Sequence, residues 1–191
     1  MQHNLRLAGH RFDLRPAYID DAAFILGLRR DPELSRFVHP TSPRLQDQID
    51  WMVAYEARAG DYYFIVEDQA DGTPVGAVGL YDVVDRAGEW GRWLISPGVL
   101  AAVESALLIY RLGFEALDLR EVYCRTLAGN RQVLSFHDSM GAERRRTLSA
   151  YAHLADGDHD AVEHVVTREA WPTLRPRLER LAQRVAGVRL V

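Results

Sequence analysis

Cysteine is scarce in this sequence: Cys124 is the single one among 191 residues. A lone cysteine excludes an internal disulfide framework and is typical of a reducing compartment. Long apolar runs are also lacking, because none extends uninterrupted for about 18 residues, and no membrane-spanning helix is therefore predicted. The N-terminal residues do not have the charged and then apolar layout of a secretion signal. These absences lead us to expect a cytoplasmic protein.

A surplus of basic charge is absent as well. Lys and Arg total 23 against 27 acidic residues, which gives a formal net charge of −4, and the arginines are scattered along the chain. Because nucleic-acid binders carry pooled basic charge, neither nucleic acid nor a membrane is an expected partner. A hydrophobic content of 48% in 191 residues is enough for one domain with its own core.

No metal-binding motif is complete. The segment DGDHDAVEH places Asp156, Asp158 and Asp160 at alternate positions, as a calcium-binding loop does. Such a loop needs glycine at its sixth position and glutamate at its twelfth, where this sequence has Ala161 and Thr167. The two-histidine zinc spacing is also missing. We therefore predict a hairpin turn in this segment and no bound metal.

Hydrophobic periodicity gives the order of the secondary-structure elements. The chain begins with a short strand around Phe12 to Pro16, two helices in YIDDAAFILGLRR and RLQDQIDWMVAYEARA, and three strands in DYYFIVED, TPVGAVGLYDVV and GEWGRWLIS. It continues with a helix up to about Leu117, a strand in EVYCRT, a helix in NRQVLSFHDSMG, further strands, and a tail helix from Trp171. This order predicts an α+β (α/β) fold with a mixed, mostly antiparallel sheet of six or seven strands and helices on both faces.

The stretch from Trp93 to Phe114 runs from a strand through a Ser-Pro-Gly turn into a helix. A helix N-terminus that follows a strand offers free backbone N–H groups and the positive end of the helix dipole to a phosphate. The glycine-rich spacing that usually marks such a loop is lacking. The sequence therefore predicts a phosphate site that depends on backbone donors.

Two segments, GEWGRWLISP and NRQVLSFHDSMGA, together with the element order over about residues 12 to 170, resemble the GNAT acyltransferase superfamily. Four features are similar to the branch that acetylates amino-sugar nucleotides, ribosomal-protein alanine and spermidine: LRRDPELSRF, the later Trp51, the strand YYFIVED and the tail that begins at Trp171. The resemblance implies a single GNAT domain over residues 1–191, with a C-terminal helical extension over 171–191. It also implies an N-acetyltransferase that uses acetyl-CoA.

The resemblance carries over a set of CoA-binding positions. The backbone of the fourth strand would pair with the pantetheine arm, the following turn would hold the pyrophosphate, and the helix led by asparagine would lie along the arm. The residues implied are Trp93, Leu94, Ile95, Gly98, Val99, Leu100, Ala101, Ala102, Asn130 and Phe136. Leu100 stands where the family has a glutamine or an arginine. The loss of that contact would weaken CoA binding or indicate a different donor.

Glu89, at the start of the fourth strand, is the predicted general base, since the resemblance matches it to a glutamate that looks catalytic, often through water, in the related branch; the alternative is a solvent-exposed carboxylate. Strand alternation places Glu89, Gly91, Trp93 and Ile95 on one face. Phe136 stands where many relatives have a tyrosine that acts as the general acid for the departing thiolate. The neighbouring His137 is therefore the predicted proton donor. The open alternatives are Tyr123 and a thiolate that leaves without an acid. Cys124 is interpreted as a packing residue.

The acceptor is expected across the sheet from CoA, with Arg29, Trp51, Tyr81 and Asp82 as its binding residues; Arg30 and His39 lie in the same segment. Three acceptor classes stay open: an amino-sugar nucleotide or aminoglycoside-like metabolite, a polyamine or other small amine, and a protein N-terminus. Two further hypotheses are a catalytically degenerate binding protein and an enzyme that takes a carrier-bound or tRNA-bound acyl group. The tail helix after Trp171 would cover the acceptor site or form a homodimer surface.

Overall fold

A seven-stranded sheet forms the centre of the protein in the computed structural model, which describes residues 3–187. The strands are β1 (Phe12–Pro16), β2 (Tyr62–Asp68), β3 (Pro74–Val84), β4 (Ala87–Ile95), β5 (Glu121–Leu127), β6 (Glu143–Leu154) and β7 (Gly157–Thr167). The helices are α1 (Ala22–Arg30), α2 (Leu45–Glu56), α3 (Ala102–Arg111), α4 (Arg131–Met140) and α5 (Trp171–Ala186). The predicted tail helix is confirmed as far as Ala186, and its last residues, 188–191, lie outside the described residues.

The sheet has the strand order β1-β2-β3-β4-β5-β7-β6. Every neighbouring pair is antiparallel except β4 and β5, which confirms the predicted mixed, mostly antiparallel sheet. The connection between β3 and β4 shows why DRAG forms a tight hairpin. Asp85 and Arg86 have φ angles of 51° and 64°, the two positive values that a two-residue type I′ turn requires.

The parallel strands β4 and β5 diverge after three residues. Ala87, Gly88 and Glu89 pair with Glu121, Val122 and Tyr123, and the pairing then ends. From there β5 continues along β7 as far as Leu127, whereas β4 continues along β3 as far as Ile95. Within residues 3–187, no strand pairs with the β5-facing edge of β4 beyond Glu89. The two strands thus bound a V-shaped opening with Glu89 at its foot, which we call the cleft.

A β-bulge in β4 makes the predicted alternation wrong beyond Gly91. Residues 77 and 79 of β3 pair with Leu94 and Gly91, so β4 has one residue more than β3 in this interval, and Arg92 has a φ of 50°. Gly91 stays on the face of Glu89, because a Cβ at Gly91 would lie 2.5 Å from the hydroxyl oxygen of Tyr81. Trp93 instead turns to the opposite face, where its ring centroid lies 5.1 Å from that of Trp90.

Two apolar layers cover the sheet, which confirms the prediction of helices on both faces. On one face α1 and α2 enclose a cluster that contains Ile25, Met52 and Tyr63. On the other face α3 and α5 pack together, and Leu107, Trp171 and other buried side chains form the larger cluster. Because α5 lies on the face opposite α1 and α2, it does not cover the acceptor site predicted beside those two helices. That alternative is wrong.

The β6–β7 hairpin confirms the predicted turn in DGDHDAVEH. Leu154 pairs with Gly157 across a turn at 155–156, and Asp156 accepts a hydrogen bond from His159 at 2.7 Å. The described residues contain no group of three His, Cys, Asp or Glu side chains placed to hold a metal ion. Among the described helices, none combines the length and the apolar character that crossing a membrane demands.

Candidate active site

Glu89 is the last residue of β4 that pairs with β5 and is 5% exposed, so it is not the solvent-exposed carboxylate of the alternative interpretation. Its Oε2 accepts a hydrogen bond from Arg125 Nη1 at 2.7 Å. Its Oε1 lies 3.3 Å from the Tyr81 hydroxyl, which donates to it. Burial raises the pKa of Glu89, and the opposing charge of Arg125 partly offsets that rise. A carboxylate with a raised pKa is suited to general base chemistry near neutral pH.

A cavity of about 460 Å³ lies between α1, α2 and the adjoining part of β3 and β4. Three of the four predicted acceptor residues, Arg29, Trp51 and Tyr81, line it. The fourth, Asp82, is exposed at the end of β3 and is not among the lining residues. The Tyr81 hydroxyl is therefore the group that connects this cavity to Glu89.

The cavity is rich in arginine. Arg29 donates to Thr41 Oγ1 at 2.6 Å and to the His39 carbonyl at 3.3 Å. Within residues 3–187, no carboxylate comes within ion-pair distance of Arg29, and burial lowers the pKa of its guanidinium. Arg29 therefore keeps a positive charge in the cavity without an acidic partner, which makes it a ready ligand for an anion.

Arg92 and aromatic rings form the inner wall of the cavity. The guanidinium of Arg92 binds Asp61 at 2.6 and 2.9 Å and lies 4.3 Å from the ring centroid of Tyr81 and 5.1 Å from that of Trp51. The sequence did not reveal Arg92 as a site residue, because simple alternation does not indicate which way its side chain points. The bulge in β4, with its left-handed residue, is what sets that direction.

The predicted CoA-binding positions lie along the free edge of β4 and at the start of α3. Gly98 takes a φ of 78°, and in the described part of the chain no side chain caps α3, so its first N–H groups stay open. Asn130 has a local role, since its side-chain oxygen accepts the Val133 N–H at 3.3 Å and caps α4. Phe136 packs against Trp93 with ring centroids 5.6 Å apart.

Glu104, which the sequence did not single out, lies in the first turn of α3 and is 1% exposed. Its carboxylate accepts backbone N–H groups from His10, Arg11 and Phe12. Glu104 thereby links the segment that leads into β1 to the first turn of α3. No periodic signal marks this contact, because the partners lie more than 90 positions apart.

His137 points into the core between α4 and the sheet. It is 1% exposed, its Nε2 lies 3.4 Å from Cys124 Sγ, and burial lowers its pKa to about 3. The imidazole is therefore neutral at pH 7, which leaves it a weak acid; its role as proton donor stays a prediction. Burial also raises the pKa of the Cys124 thiol, so the thiol is unreactive, in keeping with its interpretation as a packing residue.

Known structures share this architecture. The chain is 28% identical to FdhC, described as a nucleotide-linked sugar GNAT, with a TM-score of 0.77 over 93% of this chain and 98% of that one. A GCN5-related N-acetyltransferase from Brucella melitensis is 16% identical, with a TM-score of 0.80 over 94% and 86%. A variant of spermidine N-acetyltransferase SpeG from Vibrio cholerae is 17% identical, with a TM-score of 0.75 over 84% and 96%.

The family is assigned by a match between the sequence and a family model. No curated protein matched the sequence, but residues 11–143 match the family model described as acetyltransferase (GNAT) domain. That match spans more than half of the chain and includes the foot of the cleft, the start of α3 and α4. The protein therefore belongs to the GNAT acetyltransferase family and is a GNAT-type N-acetyltransferase.

Proposed function

We propose that the protein transfers an acetyl group directly from acetyl-CoA to the primary amine of a small metabolite. The observation that carries this proposal is the position of Glu89. It lies at the foot of the cleft between β4 and β5 and contacts, through Tyr81, the cavity beside α1 and α2. A donor in the cleft and an acceptor in the cavity would therefore meet at one carboxylate.

The donor side offers the groups that an acyl-CoA needs. The amide-bearing pantetheine arm is suited to the free edge of β4 at Trp93 to Ile95, which it would extend as an added strand. The pyrophosphate is suited to the uncapped first turn of α3. Acetyl-CoA supplies the activated thioester.

The reaction joins the acceptor nitrogen to the acetyl carbon and breaks the bond between that carbon and sulfur. The amine must first lose a proton to become nucleophilic. Glu89 takes this proton, and because the carboxylate itself does not line the cavity, the proton reaches it by way of Tyr81 or a water molecule. The thiol has an ordinary pKa near 8.5, so it leaves as a thiolate with or without a proton from His137.

The cavity favours an acceptor that carries negative charge, such as an amino-sugar nucleotide. Arg29 can bind a phosphate and Trp51 can stack on a base. A second cavity, of about 550 Å³, continues past Arg29 to Arg30 and Arg36. A polyamine would need carboxylates instead, and the one among the described residues that line the first cavity, Asp47, is already bound by Ser42 and Arg44.

Calorimetric titration with acetyl-CoA, followed by thiol release over a panel of amines, tests the proposal. The panel should include amino-sugar nucleotides, their uncharged amino-sugar parents, spermidine and a peptide with a free N-terminus. The sequence contains no lysine, so all 23 Lys and Arg positions are arginine and acetylation of lysine side chains cannot add background. Absence of heat and of a thermal shift at millimolar ligand would overturn acetyl-CoA as the donor and favour a carrier-bound donor or a degenerate binding protein.

The first prediction concerns Glu89→Gln. We expect kcat to fall by about 10²- to 10⁴-fold, as when a general base is removed, with the Kd of acetyl-CoA unchanged. Glu121→Gln is the matched control, since that strand carboxylate binds Arg145 and does not contact Glu89. Undiminished turnover in Glu89→Gln would remove Glu89 from its role.

A further inference from the structure

A second carboxylate is buried next to the active site. Glu163 on β7 has no exposed surface. Three guanidiniums bind it, those of Arg125, Arg145 and Arg146, each with its Nε 2.9 Å from a carboxylate oxygen. A buried carboxylate is stable only with such partners, so this cluster is a fixed charged centre beneath the cleft.

Arg125 is the member of the cluster that also reaches the active site. Its Nε donates to Glu163, while Nη1 of the same guanidinium donates to Glu89 at 2.7 Å. The fork of a guanidinium is planar and rigid, so the position of one bond determines the direction of the other. The rings of Tyr123 and Tyr151 lie 5.1 and 5.9 Å from its central carbon and restrict it further.

We propose that Arg125 is a positioning residue, anchored by Glu163, that holds the Glu89 carboxylate at the foot of the cleft with Oε1 directed to Tyr81. The two carboxylate oxygens of Glu89 then have different partners. Oε2 is occupied by Arg125, and Oε1 receives the long contact of 3.3 Å from the Tyr81 hydroxyl. The inference rests on the proposed role of Glu89 as the base.

Arg125 is also the cation that limits the rise in the Glu89 pKa. The charged and titratable groups that act on Glu89 come from four strands: Tyr81 and Asp82 of β3, Tyr123, Cys124 and Arg125 of β5, Tyr151 of β6 and Glu163 of β7. Burial is the largest influence and raises the pKa of Glu89, and the charge of Arg125 is the largest opposing influence. Without Arg125, the pKa of Glu89 must therefore rise further.

Carbon-13 NMR of glutamate carboxyl groups tests the proposal without any substrate. The Glu89 resonance is assigned by its loss in Glu89→Gln, and its titration midpoint is followed in Arg125→Gln. We expect the midpoint to move to higher pH by about one unit or more, the usual effect of losing an opposite charge at this range. Arg146→Gln is the control, because it removes a guanidinium from Glu163 and none from Glu89.

Each outcome decides one part of the question. An unchanged midpoint in Arg125→Gln, or an equal shift in Arg146→Gln, would overturn the positioning role. If Arg125→Gln does not fold, Arg125→Lys is measured instead. A single ammonium cannot keep both hydrogen bonds of the guanidinium, so a smaller upward shift of the Glu89 midpoint is expected. The absence of any shift in Arg125→Lys would overturn the proposal. In the pH profile of kcat/KM, the acid limb should move with the midpoint. Full turnover in Glu89→Gln would instead refute the base role and leave the NMR result standing.

Discussion

At the scale of single residues, the protein keeps several ionisable groups inside its core by different means. Glu163 is neutralised by three arginines, and Glu104 is satisfied by backbone N–H groups. His137 has neither kind of support: its Nδ1 is buried without a hydrogen-bond partner in the described residues. Folding therefore requires the neutral form of His137, and the stability of the fold depends on pH through it.

The second prediction follows from this burial. The pKa of His137 falls from the unfolded value of 6.5 to about 3 in the folded protein. The stability that depends on neutral His137 is fully present above pH 6.5 and is lost as the pH falls towards 3, because the unfolded state then binds a proton at His137 and the folded state does not. Between pH 7.5 and pH 5 we expect the free energy of unfolding to fall by about 2 kcal/mol through this residue.

Urea denaturation at several pH values measures the effect in the native protein and in His137→Leu. The variant should show a flatter dependence on pH, so that the difference in free energy of unfolding between the two proteins changes by about 2 kcal/mol between pH 7.5 and pH 5. His153→Leu is the control, because His153 is an exposed residue of the β6–β7 hairpin. Parallel pH curves for the native protein and His137→Leu would contradict the burial of a neutral imidazole.

At the scale of the elements, sequence patterns gave the helices and strands because hydrophobic periodicity is a local signal. The start of β4 was located in the same way, whereas Glu89 became the predicted base through the resemblance to the GNAT superfamily, and that role stays a prediction. The patterns failed at Arg92, because the bulge depends on how β4 pairs with β3. They also missed the partnership of Glu89 with Arg125, since 36 positions separate these residues and their contact requires β4 to pair with β5.

The third prediction concerns the start of α3, where the resemblance to the GNAT superfamily implies a glutamine or an arginine and this chain has Leu100. If the pyrophosphate lies at the uncapped first turn of α3, a guanidinium at position 100 adds a charge-assisted contact to the backbone donors. We expect Leu100→Arg to bind acetyl-CoA about tenfold more tightly, which corresponds to about 1.4 kcal/mol.

Calorimetry with acetyl-CoA checks this prediction, with Leu100→Ala as the control for loss of the leucine itself. The gain should shrink as the salt concentration rises, because the added contact is between charges at a partly exposed site. If Leu100→Arg and Leu100→Ala gain equally in affinity for acetyl-CoA, the charge of the arginine makes no contact with the pyrophosphate and the prediction is wrong.

At the scale of the whole molecule, the sheet separates two layers of helices, each with its own apolar cluster. The helices α1 and α2 enclose the cavity proposed for the acceptor on one face, while α3 and α5 build the main core on the other. Glu89 lies at the foot of the cleft, and the Tyr81 hydroxyl, whose residue lines the cavity, donates to it. The described part of the tail helix therefore lies on the face opposite the cavity, where its buried side chains belong to the main core.

The fourth prediction tests whether α5 folds with the rest of the domain. Leu178 of α5 has no exposed surface, and its neighbour Arg177 is exposed. Leu178→Ala should lower the free energy of unfolding by about 3 kcal/mol, as a cavity left in a packed core does, whereas Arg177→Ala should change it by less than about 0.5 kcal/mol. Trp171 lies in α5 and Trp51 lies on the other face, so tryptophan fluorescence reports on both helical layers. The urea transition followed by fluorescence should coincide with the transition followed by circular dichroism. An early, separate fluorescence change in Leu178→Ala would show instead that α5 detaches while the sheet and the acceptor face stay folded.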